Sequence, residues 1–227
     1  MAIVERKGDI GEQVIIWSYR ALTALLLVRA TTLPHLVEQI TEQDANPVAT
    51  ALVAAQRSLE LADEYARRKY PDVWDYVQAY WLLGAAHRVN GNMEESDRHL
   101  TEAITRCRTI NLVLFEVDIL LELARLRLAT GKRDEASKLA DEALEITERC
   151  GYVLQGADVH LFLAQLALAD DDRQKALFHA REARRLATCD VRVTQERYPY
   201  PSLREAAPTG ILLRVASPIG EGCVTLA

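Results

Sequence analysis

The chain is poor in aromatic residues and in any recognisable pattern of catalytic or metal-binding side chains. Only three Phe and three Trp occur in 227 residues, so Leu and Ala must supply most of the core that a 49% hydrophobic chain can bury. No glycine-rich phosphate loop occurs, the four cysteines form no Cys-x-x-Cys pair, and the histidines lack a ligand spacing. The sequence therefore predicts a protein that is not an enzyme, without a cofactor or metal. Its sparse cysteines predict a cytoplasmic location.

Excess positive charge and a long uninterrupted apolar run are also missing. The net charge of −6 argues against a nucleic-acid partner, because such domains usually present a strongly basic face. Residues 14–28 are rich in apolar side chains, but Arg20 interrupts them and Arg29 closes them, which leaves a stretch too short to cross a bilayer. The first ten residues are charged and lack the apolar core of a signal peptide. These features predict no membrane association.

What the chain does contain is one pattern repeated three times at a spacing of forty residues. The second copy consists of Leu123-Ala124, Gly131, Ala136, Ala140 and Ala143. The first and third copies place related residues in the same register: Leu83-Gly84, Gly91, Ser96, Leu100 and Ala103, then Leu163-Ala164, Asp171, Ala176, Ala180 and Ala183. Such self-similarity is typical of helical repeat arrays, in which each helix pair covers the apolar face of its neighbour.

Each copy is predicted to form two antiparallel helices joined by a tight turn. In the third copy, residues 157–169 carry apolar side chains at helical spacing, and a second helix is expected from about residue 173 to 188. Asp172 is placed to cap that second helix, and Gly131 supplies the positive dihedral that the turn of the second copy requires. We expect the second helix of the third copy to bury its apolar positions: Ala176, Leu177, Ala180 and Ala183.

The positions resemble the tetratricopeptide repeat: a large residue, then Leu-Gly or Leu-Ala, a turn glycine and two alanines on the second helix. The large residues are Tyr80, Leu120 and His160, the last predicted to be a structural imidazole. At forty residues the unit exceeds the usual thirty-four, and the proline after the second helix is absent, so longer helices are expected. This longer variety resembles the carboxyl-terminal arrays of bacterial STAND-type signalling ATPases, and is also similar to kinesin light chains.

The resemblance implies an all-α, right-handed superhelix of about four antiparallel helix pairs. The array is predicted to span residues 1–190, with regular units at about 77–116, 117–156 and 157–189. The first unit is irregular and carries an insertion at about 31–47, in which Pro34 is placed to start a short helix. Residues 1–8 are interpreted as the end of a helix whose partner lies upstream in a larger protein. Residues 191–227 contain four prolines and are predicted to form an irregular tail.

If the tetratricopeptide register holds, the first helix of each pair lines a concave groove. Trp81, Leu121 and Leu161 are predicted to form an apolar stripe along it. The other groove positions are polar or charged: Gln78, Arg88, Asp118, Arg125, Asp158 and Gln165. One interpretation is that the stripe and charges bind a peptide or protein segment. The alternative is that the leucines pack on neighbouring helices and the charges are only solvated.

The function implied is a protein-protein interaction scaffold, or a sensor array within a larger bacterial signalling protein. A free-standing adaptor that bridges two proteins is the alternative, and an enzyme on a helical-repeat frame is a further one. An upstream phosphate-binding loop in the same reading frame would favour the sensor over the adaptor. Open-ended arrays also expose apolar end faces, which allows self-association through the array ends.

Overall fold

The computed structural model describes residues 9–30, 46–68 and 72–188, and within them every regular element is a helix. The short helix predicted from Pro34, the upstream helix end at residues 1–8 and the tail 191–227 lie outside the described residues. The helices run in chain order as α1 (Ile10–Ala30), α2 (Pro47–Arg68), α3 (Val73–Val89), α4 (Met93–Thr109), α5 (Val113–Ala129), α6 (Arg133–Cys150), α7 (Val153–Ala169) and α8 (Arg173–Ala187).

The turns within the last three pairs repeat one geometry. Gly91, Gly131 and Asp171 have positive φ values of 84°, 77° and 57°, a region that glycine adopts without strain. In each turn, the amide of the residue that follows donates a hydrogen bond to the carbonyl five residues before it. The amide of Lys132, for example, donates to the carbonyl of Arg127 at 2.8 Å. Asp172 caps α8 by accepting a 3.0 Å hydrogen bond from the amide of Lys175. The forty-residue repeat predicted from the sequence is therefore present as a repeated turn.

The helices pack as four antiparallel pairs, α1/α2, α3/α4, α5/α6 and α7/α8. Consecutive pairs also touch through their first helices: α1 contacts α3, α3 contacts α5 and α5 contacts α7. We call the surface formed by these four helices the first-helix face. The packing confirms the predicted all-α fold of helix pairs.

Small residues at the predicted crossings of α3 with α4 and α5 with α6 are buried. Ala124, Ala140 and Ala143 are fully inaccessible to solvent. Gly84 approaches α4 so closely that an added Cβ would lie 2.6 Å from Cγ of Leu100. Helices in these two pairs approach closely because the side chains at their crossings are small.

The prediction for α8 is wrong in part. This helix buries Ala176 and His179, but Leu177 is 51% exposed and Ala180 is also exposed. In the earlier pairs the second helix is covered by the following pair, and no further pair follows α8 among the described residues. Its outer positions therefore remain at the surface.

Helix α1 extends the apolar stretch seen in the sequence. With 21 residues it is long and apolar enough to span a membrane by length and composition alone, which corrects the expectation that this stretch is too short. One of its polar side chains has a partner inside the array, because the hydroxyls of Ser18 and Ser58 on α2 lie 2.8 Å apart and are buried. Of its apolar window, 28% is buried.

Candidate functional site

The predicted apolar stripe does not line an open groove. Trp81 and Leu121 are only 9% and 2% exposed, whereas Leu161 is 50% exposed. The ring centroid of Trp81 lies 5.7 Å from that of Phe115 on α5, and Leu121 belongs to a core cluster that includes Phe162 on α7. In α3 and α5, this repeat position therefore packs against the next helix pair. Leu161 occupies the same position in α7 and is exposed because no further pair covers α7 among the described residues.

The predicted charged positions, in contrast, converge around a carboxylate that the sequence reading did not select. Glu122 on α5 accepts hydrogen bonds from Arg88 on α3 at 2.9 Å and from Arg125 at 2.5 Å. Arg29, at the end of α1, reaches the same carboxylate at 2.8 Å and also Asp158 on α7 at 3.2 Å. We call this set, together with Asp118, the Glu122 cluster. It draws one side chain or more from each of the four helices of the first-helix face.

Glu122 is the buried centre of the cluster. Its side chain is 4% exposed, and those of Arg88 and Arg125 are 18% and 17% exposed. Burial by itself would raise the pKa of Glu122, but the guanidiniums of Arg125, Arg88 and Arg29 outweigh burial and hold the pKa at about 2. Glu122 is therefore a carboxylate at every pH at which the protein is expected to work.

The pKa of Asp118 is shifted in the opposite direction to that of Glu122. Burial, and then the nearby carboxylates of Asp158 and Glu122, raise its pKa to about 7. Asp118 therefore gains or loses a proton near neutral pH, which is the kind of perturbed group that concentrates at functional sites.

The arginines of the cluster differ in their surroundings. Burial lowers the pKa of Arg125, although Glu122 partly compensates. The pKa of Arg29 is raised, because its attraction to Glu122 and Asp158 exceeds the effect of burial. The side chains of Arg29 and Asp158 are 41% and 46% exposed, so they are the members that a partner molecule would meet first.

The remaining predicted groove residues lie at the register positions expected of them. Gln78 on α3 is half-buried and Gln165 on α7 is exposed. The counterparts of Arg125 forty residues earlier and later are Ala85 and Gln165, so among the three regular units the charge at this position occurs only in the α5/α6 pair. Of the predicted set, the structure thus brings together Arg88, Asp118, Arg125 and Asp158.

Glu122 and Arg29 were the residues missed. A signal for Glu122 was present: its counterparts forty residues away on either side are Leu82 and Phe162, both buried. A carboxylate at a position that the repeat reserves for core side chains marks a site that needs partners. Arg29 gave no such signal, because the insertion after α1 breaks the register of the first unit.

The arrangement favours recognition of charge. Three guanidiniums present planar, multiple donors, which suit a carboxylate or another oxyanion. A nucleophile with an adjacent base is not found among the cluster residues, whose side chains are arginines and carboxylates in mutual ion pairs.

Comparison with known proteins supports the fold and leaves the site unassigned. No family model matches the chain, and no curated protein is significantly similar to it. Among solved structures, the chain is similar to BtubC (BKLC) from P. vanneervenii with 15% identity and a TM-score of 0.51, over 96% of this chain and 100% of that one. At this identity the likeness is one of fold.

Two structures of MamA are less similar. MamA AMB-1 has 19% identity and a TM-score of 0.40, over 82% of this chain and 98% of that one. A second MamA structure has 16% identity and a TM-score of 0.38, over 84% of this chain and 97% of that one.

Proposed function

We propose that this chain is a non-catalytic protein-interaction scaffold that binds a segment of another protein at the Glu122 cluster. The supporting observation is the convergence of three arginines on one buried carboxylate, from three neighbouring helices of the first-helix face. Helical repeat arrays commonly present such shared faces to their partners.

Stability alone is a weak reason for such a cluster. Burying an ion pair costs desolvation energy that the attraction often only balances, and apolar residues of similar size serve as well or better. The same fold uses Leu82 and Phe162 at the position of Glu122, so this position does not require a charge. A charged cluster retained there is better explained by recognition.

The charges favour an acidic segment as the partner. Arg29, Arg88 and Arg125 are paired with Glu122 and Asp158, and Asp118, with a pKa of about 7, carries only part of a charge near neutral pH. Three guanidiniums thus face two full carboxylate charges and the partial charge of Asp118, which leaves the cluster slightly positive. A partner carboxylate would compete with Asp158 for the guanidinium of Arg29.

Within this proposal, the array is the sensor or scaffold segment of a larger bacterial signalling protein in the cytoplasm. Occupancy of the cluster would bias an attached switch domain. This finer assignment depends on the resemblance to STAND-type arrays, and the free-standing adaptor is its alternative. Self-association is a further proposal, supported by exposed apolar side chains on the last pair: Leu154, Leu161, Leu168, Leu177 and Phe178.

A random peptide library displayed on phage and selected against the purified protein tests the binding site. We expect the selected peptides to be enriched in Asp and Glu. Their affinity, measured by fluorescence anisotropy, should fall roughly 10- to 100-fold for Arg29→Ala, as for the loss of one charge-assisted hydrogen bond. Substitutions of Trp81 or Leu121 are unsuitable because both side chains are core.

Arg108→Ala is the matched control. Arg108 is 48% exposed and also pairs with two carboxylates, Glu116 and Glu142, but it lies on α4, a second helix. Its substitution should leave peptide affinity unchanged. Equal affinities of wild type and Arg29→Ala, or selected peptides without acidic enrichment, would remove the Glu122 cluster as the binding site.

A further inference from the structure

The turn between α3 and α4 brings together two histidines and a glutamate. The ligating atoms of His87, Glu95 and His99 all lie within 4.8 Å of one another. The two imidazole rings are nearly parallel, at 9°, with centroids 5.4 Å apart. Nε2 of His99 lies 3.5 Å from Oε2 of Glu95, which is one helical turn earlier on α4. We call these three residues the histidine-glutamate cluster.

Both imidazoles have a buried nitrogen without a hydrogen-bond partner among the described residues. The atoms are Nδ1 of His87 and Nδ1 of His99, and His99 as a whole is only 6% exposed. Buried polar atoms are normally satisfied by protein, water or an ion. Nδ1 of His87 is therefore available to a metal ion, whereas His99 faces Glu95 through Nε2.

A surface cavity of about 500 Å³ borders the cluster at His87. His87 forms part of its wall, together with residues of α1 and α2: Trp17, Leu52, Val53, Gln56, Arg57 and Glu60. An entry path is one requirement of a functional metal site. The cavity also leaves room for a further ligand beside His87.

We propose that His87, Glu95 and His99 bind one divalent transition-metal ion of the Zn²⁺ type. Two imidazoles and a carboxylate form a ligand set that Zn²⁺ accepts readily, and three protein ligands leave one position for water or an external ligand. This site is independent of the Glu122 cluster and of the proposed function.

Coordination requires a small rearrangement. Each imidazole binds a metal in its own ring plane, so one of the two parallel rings must turn before both lone pairs reach a single ion. His87 has room to turn because its ring borders the cavity.

Arg98 competes for the same ligand atoms. Its guanidinium donates to Glu95 Oε2 at 2.5 Å and lies 3.1 Å from Nε2 of His99. The side chain is 64% exposed and can therefore swing into solvent when a cation replaces it. Its positive charge must weaken metal binding as long as it remains in place.

Isothermal titration of the untagged, metal-free chain with Zn²⁺ tests the site. We expect one ion per chain and a loss of affinity of roughly 100-fold or more for His87→Gln and for Glu95→Gln, because removing even an outer-shell partner typically costs 10- to 100-fold. Glu94→Gln is the matched control, since Glu94 is adjacent but outside the cluster, and should bind as wild type does. Arg98→Gln should bind more tightly.

The absorption spectrum of the Co²⁺-substituted chain separates this site from the thiols. Tetrahedral d–d bands without thiolate charge transfer are expected. The proposal is overturned if wild type binds no Zn²⁺, if Glu95→Gln and Glu94→Gln bind alike, if Arg98→Gln weakens binding, or if thiolate charge transfer appears. His99 is buried, so the test uses no His99 variant.

Discussion

At the scale of single residues, the small residue at a helix crossing determines how large its partner can be. Gly84 faces Leu100, and the corresponding positions forty residues later are Ala124 and Ala140. Leucine fits in the first of these pairs because the residue opposite is glycine. Packing at these crossings therefore depends on both residues of a pair. The effect of a substitution on stability should depend on which residue lies opposite.

Gly84→Ala should lower the free energy of unfolding by about 1 to 3 kcal/mol, as overpacking typically does. The new Cβ would lie 2.6 Å from Cγ of the buried Leu100, which cannot move aside freely. In a Leu100→Ala background, which recreates the Ala124/Ala140 pair, the same change should cost little. Urea unfolding followed by circular dichroism measures both. Gly11→Ala is the control, because its nearest atom would be 3.5 Å away.

At the scale of helix pairs, the α7/α8 pair is distinguished by a buried pair of histidines. Nδ1 of His160 lies 2.9 Å from Nδ1 of His179, and both residues are at most 7% exposed. One nitrogen must donate and the other accept, so the contact needs at least one of the two rings to be neutral. In the preceding pair the same positions hold Leu120 and Leu139, which have no titratable group.

Acid should therefore weaken this pair. Burial lowers the pKa of both histidines below the 6.5 of the unfolded chain. The unfolded state binds more protons as the pH falls below about 6.5, so stability declines with falling pH. His160→Leu with His179→Leu should reduce the loss of stability between pH 7 and 5. Equal pH dependence of wild type and the double variant, by urea unfolding, would contradict the assignment.

At the scale of the whole array, the Glu122 cluster links helices that are distant in sequence. Arg29 of α1 contacts α5 and α7, and Arg88 of α3 contacts α5. The cluster therefore links all four pairs through charge. Removing one member leaves the others buried without a counter-charge, and removing several together does not.

Glu122→Leu should destabilise the array by about 3 to 5 kcal/mol, because Arg88 and Arg125 lose their shared partner. Adding Arg88→Leu and Arg125→Gln, the residues found at positions 128 and 165, should restore most of that loss. Urea unfolding midpoints compare the variants. A triple variant as unstable as Glu122→Leu would show that the cluster is a structural requirement of the fold.

The forty-residue register by itself determined the all-α fold, the turns at Gly91 and Gly131 and the cap at Asp172, because turn dihedrals, caps and helical periodicity are local properties of the chain. It also identified four members of the Glu122 cluster. Tertiary structure alone decided that Trp81 and Leu121 face the next pair, because repeat periodicity places a residue on a helix without fixing which neighbour covers it. It alone brought Arg29 to Glu122, since contacts between helix pairs depend on how the pairs stack. It also brought His87 to Glu95 and His99, since contacts within a pair depend on where the turn folds one helix back against the other.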